Sequence, residues 1–177
     1  GNGAMHDIEP WKVKDGPFYV DADLTNFYDS LINVLGFTLH RRFVDGCSFS
    51  PSPGVYRISD GMRHFYGTTV ARLKAVADAN GEPYMVCPAV LSPPAYMKEN
   101  NQCAGGEESA YPGTTDNWLK PDQYDEFGEF CAAYVKMVKD TFGIDLYAFS
   151  FQNEPYFNEP YGSCSYSGGA HYADMLK

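Results

Sequence analysis

Tyr147-Ala148-Phe149-Ser150-Phe151-Gln152-Asn153-Glu154-Pro155 reads as an apolar strand that delivers an Asn-Glu pair to a point where proline forbids further regular pairing. An ionised Glu at the edge of a core must be paired or solvated. A carboxylate held there beside a neutral amide therefore points to working chemistry, the alternative being a solvated loop Glu beside a turn-forming Asn.

Working outward, Pro121 sits where a first-turn proline belongs and opens a helix through Tyr124, Phe127, Phe130, Cys131, Tyr134, Val135, Val138 and Phe142, which Gly143 ends. Upstream, residues 83–91 form a nearly continuous apolar run, as in strands of a parallel sheet buried on both faces. Val70, Leu73, Val76 and Ala77 mark a helix ending near Asn80-Gly81. Residues 37–44 read as a strand, 46–54 as an exposed loop, and 23–35 as an amphipathic helix stopped by Gly36. Residues 145–151 are the next strand, and another helix starts near Gly169. Helices alternate with strands, and the crossovers are long enough to join parallel neighbours, which predicts α/β architecture. No linker divides the chain.

Composition limits the partners. The 177 residues carry 13 Lys and Arg against 23 Asp and Glu, a formal net charge of −10, which repels phosphate backbones and argues against nucleic acid. No apolar stretch is long enough for a membrane span. Aromatic residues make up 16% of the chain, enough to supply Tyr faces for contact surfaces as well as for the core. Of five cysteines, Cys87 and Cys131 fall in apolar runs as small hydrophobes, and any two of Cys47, Cys103 and Cys164 could be bridged. Their spacing suits no zinc cage, so neither metal nor cofactor is expected. The start at Gly1 and the stop at Lys177, inside an amphipathic pattern, lead us to expect a piece of a longer chain.

Each predicted strand ends in polar or aromatic residues followed by an elaborate loop, whereas the loops before the strands are short. In parallel barrels and sheets the C-terminal strand edge is where ligands bind. His40-Arg41-Arg42 reaches that edge from one strand, and Ser92-Pro93-Pro94-Ala95-Tyr96-Met97-Lys98 follows the next. Asn153-Glu154 ends the third, and the long polar loop over residues 92–119 suits a wall of a site rather than core. His40 reads as a satisfied strand histidine, since no Cys or Asp is placed to make it a ligand or a triad base.

The order Gly1-Asn2-Gly3-Ala4-Met5, Leu35-Gly36-Phe37-Thr38-Leu39-His40-Arg41, Ser92-Pro93-Pro94-Ala95-Tyr96-Met97-Lys98 and Ser150-Phe151-Gln152-Asn153-Glu154-Pro155 resembles glycoside hydrolase family 30. The resemblance implies a retaining glycosidase on a TIM (β/α)8 barrel, with residues 1–177 as the N-terminal half, from the end of strand 1 to the start of helix 4. It makes Glu154 the general acid/base and Asn153 the donor to the sugar 2-hydroxyl. Protonating a glycosidic oxygen requires a carboxyl, which then deprotonates water in the second step. By the same resemblance Arg41 holds the nucleophile by charge-assisted hydrogen bonding, while Arg42 points to the other strand face in a structural role. Two positions depart from the family's habit: Leu91 stands where Trp often precedes the Ser-Pro-Pro turn, and Asn2 where an aromatic is common. Trp11, Tyr96, Tyr156 and Tyr161 are the stacking candidates, with core packing or loop anchoring as the alternative for each.

A retaining mechanism needs a second carboxylate roughly 5–5.5 Å from the first. In the family it comes from the seventh strand, and Glu159, on the same loop as Glu154, is not expected to serve. The implied parent is a secreted enzyme acting on a carbohydrate such as xylan, a glucan, a galactan or a glucosylceramide-like substrate. The isolated segment is expected to be inactive and to self-associate through an exposed sheet edge. The acidic charge does not favour a uronate-bearing polymer, although Arg41, Arg42, Lys98 or residues outside this segment could make a local exception. The competing expectation is a non-catalytic carbohydrate-binding barrel, from which a Glu at the end of a seventh strand would distinguish the enzyme.

Overall fold

The computed structural model describes residues 3–6, 21–106 and 116–177, with side chains described from Thr25 onward. Trp11 and Asn2 lie outside them. Strand β1 (Gly3–His6) pairs in parallel with β2 (Phe37–Asp45), matching Ala4 to Leu39, Met5 to His40 and His6 to Arg41. With β3 (Met85–Ser92) they make a three-stranded sheet in the order β1-β2-β3. Helix α1 (Asp21–Asp29) precedes β2, α2 (Gly46–Phe49) follows it, and α3 (Asp60–His64) and α4 (Ala71–Ala79) lead into β3. Helices α5 (Tyr124–Phe142) and α6 (Gly169–Met175) complete the order, and the fold is α/β as the alternation predicts. Among the described residues no helix is long and apolar enough to cross a membrane.

The chain forms two compact units. In the first, Tyr28, Leu31 and Ile32 project from α1 and its π-helical continuation Ser30–Val34 onto Leu73 and Ala77 of α4, with Phe37, Val76 and Tyr84 at the margin. These side chains recur at helical spacing, which is why α1 and α4 bury one stripe each. His40 is fully buried in this unit, its Nδ1 2.7 Å from the Tyr84 hydroxyl and its ring edge-on to Phe65. Arg42 lies over the same Phe65 ring at 4.9 Å, the structural placement expected of it.

In the second unit the core is an aromatic cluster. Phe49 stacks on Tyr56 and meets Phe130 and Tyr134 edge-on at 5.5 and 5.0 Å, and Phe127 stacks on Phe130. Phe127, Phe130, Cys131 and Tyr134 repeat at intervals of three and four, placing one face of α5 inward.

Four sequence expectations are corrected. The helix read from Val70 is preceded by helical turns from Asp60, because Ser59 Oγ accepts the Met62 N–H at 3.2 Å and caps α3. The loop read over residues 46–54 is not wholly exposed. Asp45 accepts the N–H groups of Cys47 and Ser48, which winds α2 and buries Phe49 and Ser50. The polar loop over 92–119 contributes Met97, Lys98, Asn117 and Leu119 to the interior. Residues 145–151 form no continuous strand, only a parallel bridge between Ser150 and Ala89. Tyr147 and Phe151 are exposed there, and the segment bonds along β3 with alternate residues only.

Cys47 and Cys103 are joined in a disulfide, with Cα atoms 6.3 Å apart and a sequence separation of 56. The bond ties α2 to the loop after β3, and Gly46 beside it has no room for a side chain, since a Cβ would lie 2.3 Å from the Ser92 carbonyl oxygen. Closing a loop of that length restricts the unfolded chain by about 4 kcal/mol. Replacing both cysteines by serine is expected to lower unfolding free energy by about that amount in urea titrations, and dithiothreitol should reproduce the loss in the unmodified chain.

Candidate functional site

The strand end is held by the backbone of β3. Ser150 N–H donates to Pro88 O at 2.8 Å, Val90 N–H to Ser150 O at 3.0 Å, and Asn153 N–H to Val90 O at 2.7 Å. Glu154 then leaves the ladder with φ of +43°, a left-handed conformation that costs a non-glycine residue of order 1 kcal/mol or more. Phe157 N–H returns to Glu154 O at 2.9 Å, and Tyr166 N–H to Pro155 O at 2.7 Å, which fixes the turn from behind. The Glu154 side chain is exposed, and Asn153, half-buried, points Nδ2 at Glu154 Oε2 across 3.4 Å. An exposed carboxylate and a half-buried amide donor are thus presented side by side, where they can share one polar ligand.

The remaining predicted residues are placed as follows. Arg41 is half-buried in β2, opposite His6 in the register. Tyr96 is partly buried and its hydroxyl lies 3.0 Å from Ser50 Oγ, which anchors the Ser-Pro-Pro loop. Tyr156 and Tyr161 expose more than half of their surface, and Phe157 is exposed on the same loop. Lys98, expected as a cation for acidic sugars, is fully buried and out of reach of such a ligand. Glu159 is also buried, with its backbone N–H 3.1 Å from Ser163 Oγ and its carbonyl accepting from Gly105 N–H at 2.7 Å.

Beneath the exposed loop lies a polar interior that sequence reasoning missed. Lys98 Nζ donates to Ser163 O at 2.6 Å, and to Cys103 O and Ser92 Oγ at 3.2 Å each. Burial lowers its pKa to about 8, against a smaller opposing effect of Cys164. Cys164 itself is fully buried as a thiol, its pKa pushed up by burial to about 11. Asn117 Nδ2 donates to Asn158 Oδ1 and, at 3.0 Å, to Ser163 Oγ. Gly105 fits against this group because it lacks a Cβ, which would lie within 2.5 Å of all three side chains. The available sequence signal was Asn, Ser and Gly recurring in both loops.

Among the described residues, Asp45, Cys47 and Cys103 bring metal-ligating atoms within 4.8 Å of one another. The two sulfurs are bonded to each other, and Asp45 is committed to the N–H groups of α2.

The backbone is similar to several solved structures. One is the glycoside hydrolase family 30 subfamily 8 xylanase Xyn30A from Clostridium acetobutylicum, at 22% identity and TM-score 0.66, over 99% of this chain and 37% of that one. The catalytic domain of the family 30 xylanase C from Talaromyces cellulolyticus gives 19% identity and TM-score 0.70, over 99% and 41%. SrfJ from Salmonella typhimurium gives 21% and 0.65, over 98% and 38%. No protein-family model and no curated protein matches the chain. The fold is therefore like that of family 30 glycoside hydrolases, and the chain spans about two fifths of the length of these solved chains.

The low pKa of Lys98 fixes a sign for pH. Between about 8 and its ordinary 10.5 the unfolded chain holds a proton at Lys98 that the folded chain has released, so this group adds stability as pH rises and withdraws it as pH falls. The stability of the wild type relative to Lys98→Met is expected to increase by about 3 kcal/mol across that window. Urea titrations of both proteins at matched pH read the difference, with a Cys164→Ala background in both removing the one thiol coupled to Lys98.

Proposed function

We propose that the chain is the N-terminal half of the (β/α)8 barrel of a secreted retaining glycoside hydrolase, with Glu154 as its acid/base. The observation that carries this reading is the exposed Glu154 carboxylate beside the Asn153 amide, at the end of the segment paired to β3, on a fold like that of family 30 enzymes. In the first step the Glu154 carboxyl gives its proton to the glycosidic oxygen while a second carboxylate, from beyond Lys177, attacks the anomeric carbon and the C–O bond breaks. In the second step Glu154, now ionised, takes a proton from water as the water oxygen displaces that carboxylate. Asn153 donates to the 2-hydroxyl of the sugar being cleaved, and Arg41 orients the second carboxylate. Tyr156 and Tyr161 offer exposed faces for neighbouring sugar rings, whereas the anchored hydroxyl of Tyr96 favours a loop-holding role.

Two further observations support a larger barrel and an oxidising compartment. A groove of about 310 Å³ lined by Tyr124, Phe127, Phe151, Met175 and Leu176 leaves Phe151 and Leu176 exposed, surface that a larger barrel would cover. The Cys47–Cys103 disulfide suits a secreted protein. Xylan is the substrate to test first, because two of the similar solved structures are described as xylanases.

In a longer polypeptide carrying a Glu at the end of a seventh strand, Glu154→Gln is expected to lower kcat/KM on xylo-oligosaccharides by roughly 10²–10⁴. Aryl xylosides with good leaving groups should lose less in the first step, since they need no proton. The 177-residue chain alone should show no turnover; turnover abolished by Glu154→Gln in that chain would refute the half-site reading.

A further inference from the structure

We infer that Gln152 is a positioning residue that sets the backbone geometry of Glu154, an inference resting on the acid/base reading above. Gln152 is buried, and its Nε2 donates to Leu91 O and to Asn153 O, both at 2.8 Å. The first bond reaches across to β3 and the second folds forward onto the peptide group that joins Asn153 to Glu154. Both acceptors are carbonyl oxygens, so only the amide nitrogen can face them, and the orientation of the side chain is settled. Its Oε1 is buried with no hydrogen-bond partner. A buried acceptor left in that state opposes folding. Gln152 is therefore retained at a cost, and what it supplies in return is a pair of donors at one place.

That place matters because the next peptide carries the strain. Asn153 N–H is held by Val90 O at 2.7 Å and Asn153 O by Gln152 Nε2, so the residue before Glu154 is held at both of its backbone polar groups. With Asn153 fixed and Glu154 O bound to Phe157 N–H, Glu154 meets both constraints at φ of +43°. The carboxylate direction follows from this φ, so Gln152 acts on the reaction through Glu154 without touching substrate.

The test is a double-mutant cycle in the 177-residue chain, read by urea unfolding. Glu154→Gly relieves the left-handed strain and is expected to raise the folding equilibrium constant roughly three- to tenfold when Gln152 is present. In a Gln152→Met background, which keeps the length and removes both donors, the same change should give less than twofold. Gln152→Leu, also donor-free and apolar, should behave as Met does and serves if Met does not fold. A second readout is the Cα and Cβ ¹³C shifts of Glu154, which should move from left-handed toward extended values in either Gln152 variant. An equal gain from Glu154→Gly in all backgrounds, or unmoved shifts, overturns the inference. The cycle is blind to sugar chemistry: strong coupling with full activity of Glu154→Gln in the longer enzyme would sink the functional reading alone.

Discussion

An amine with no access to water must find oxygens, and Lys98 finds them in three separate segments: Ser92 at the end of β3, Cys103 in the loop that follows, and Ser163 in the loop after Glu154. Each bond to a charged donor is stronger than its neutral counterpart, and together they offset part of the several kcal/mol that burying an ammonium costs, the remainder showing in its lowered pKa. Remove the amine and two carbonyls face each other across a dry space. The Asn117, Asn158 and Ser163 cluster extends the same logic with neutral groups, satisfying donors on one loop with acceptors on the other. The described residues of the loops over this strand edge are therefore held firmly by polar contacts as well as by the buried Met97 and Leu119.

That rigidity reaches Glu154 through short routes. Ser163 donates its N–H to Cys103 O at 3.2 Å, so the disulfide, the lysine and the loop after Glu154 share one junction. From there the chain returns through Tyr166 N–H to Pro155 O, one residue past the carboxylate. A left-handed Glu persists only where its surroundings over-determine it, and here β3 constrains it from one side and the loop from the other. The exposed side chain and the strained backbone, bonded on both sides of the turn, are complementary requirements: the group must meet a ligand, and it must not wander.

The sequence disclosed the frame well because periodicity reports on burial. The stripe Phe127, Phe130, Cys131, Tyr134 and the apolar run of β3 are legible since each face has one kind of neighbour. Residues 145–151 misled the same reasoning. Their apolar character promised a regular strand, but regular pairing needs partners, and Tyr147 and Phe151 remain exposed along the one ladder the segment makes. Glu154 and Asn153 were legible as a motif at a strand end, and the structure keeps them adjacent. Lys98, Gln152 and Gly105 were not, because their roles are set by carbonyl groups and side chains distant in sequence, which no local pattern encodes.

The disulfide and the buried lysine divide the labour of holding the loops in a way neither could manage alone. A disulfide constrains chiefly the unfolded chain and fixes one pair of Cα atoms, leaving the rest of the loop free to rearrange around it. Hydrogen bonds to Lys98 select one arrangement of that rest, but they are individually weak against the entropy of two long loops. Placed on one residue, Cys103, with its sulfur bonded to Cys47 and its carbonyl bonded to Lys98, the two act in sequence. The covalent bond reduces the number of loop conformations to be searched, and the buried charge chooses among those left. A chain that must present a carboxylate from a loop, on a polar surface that cannot be packed with aliphatic side chains, gains a defined geometry from that combination.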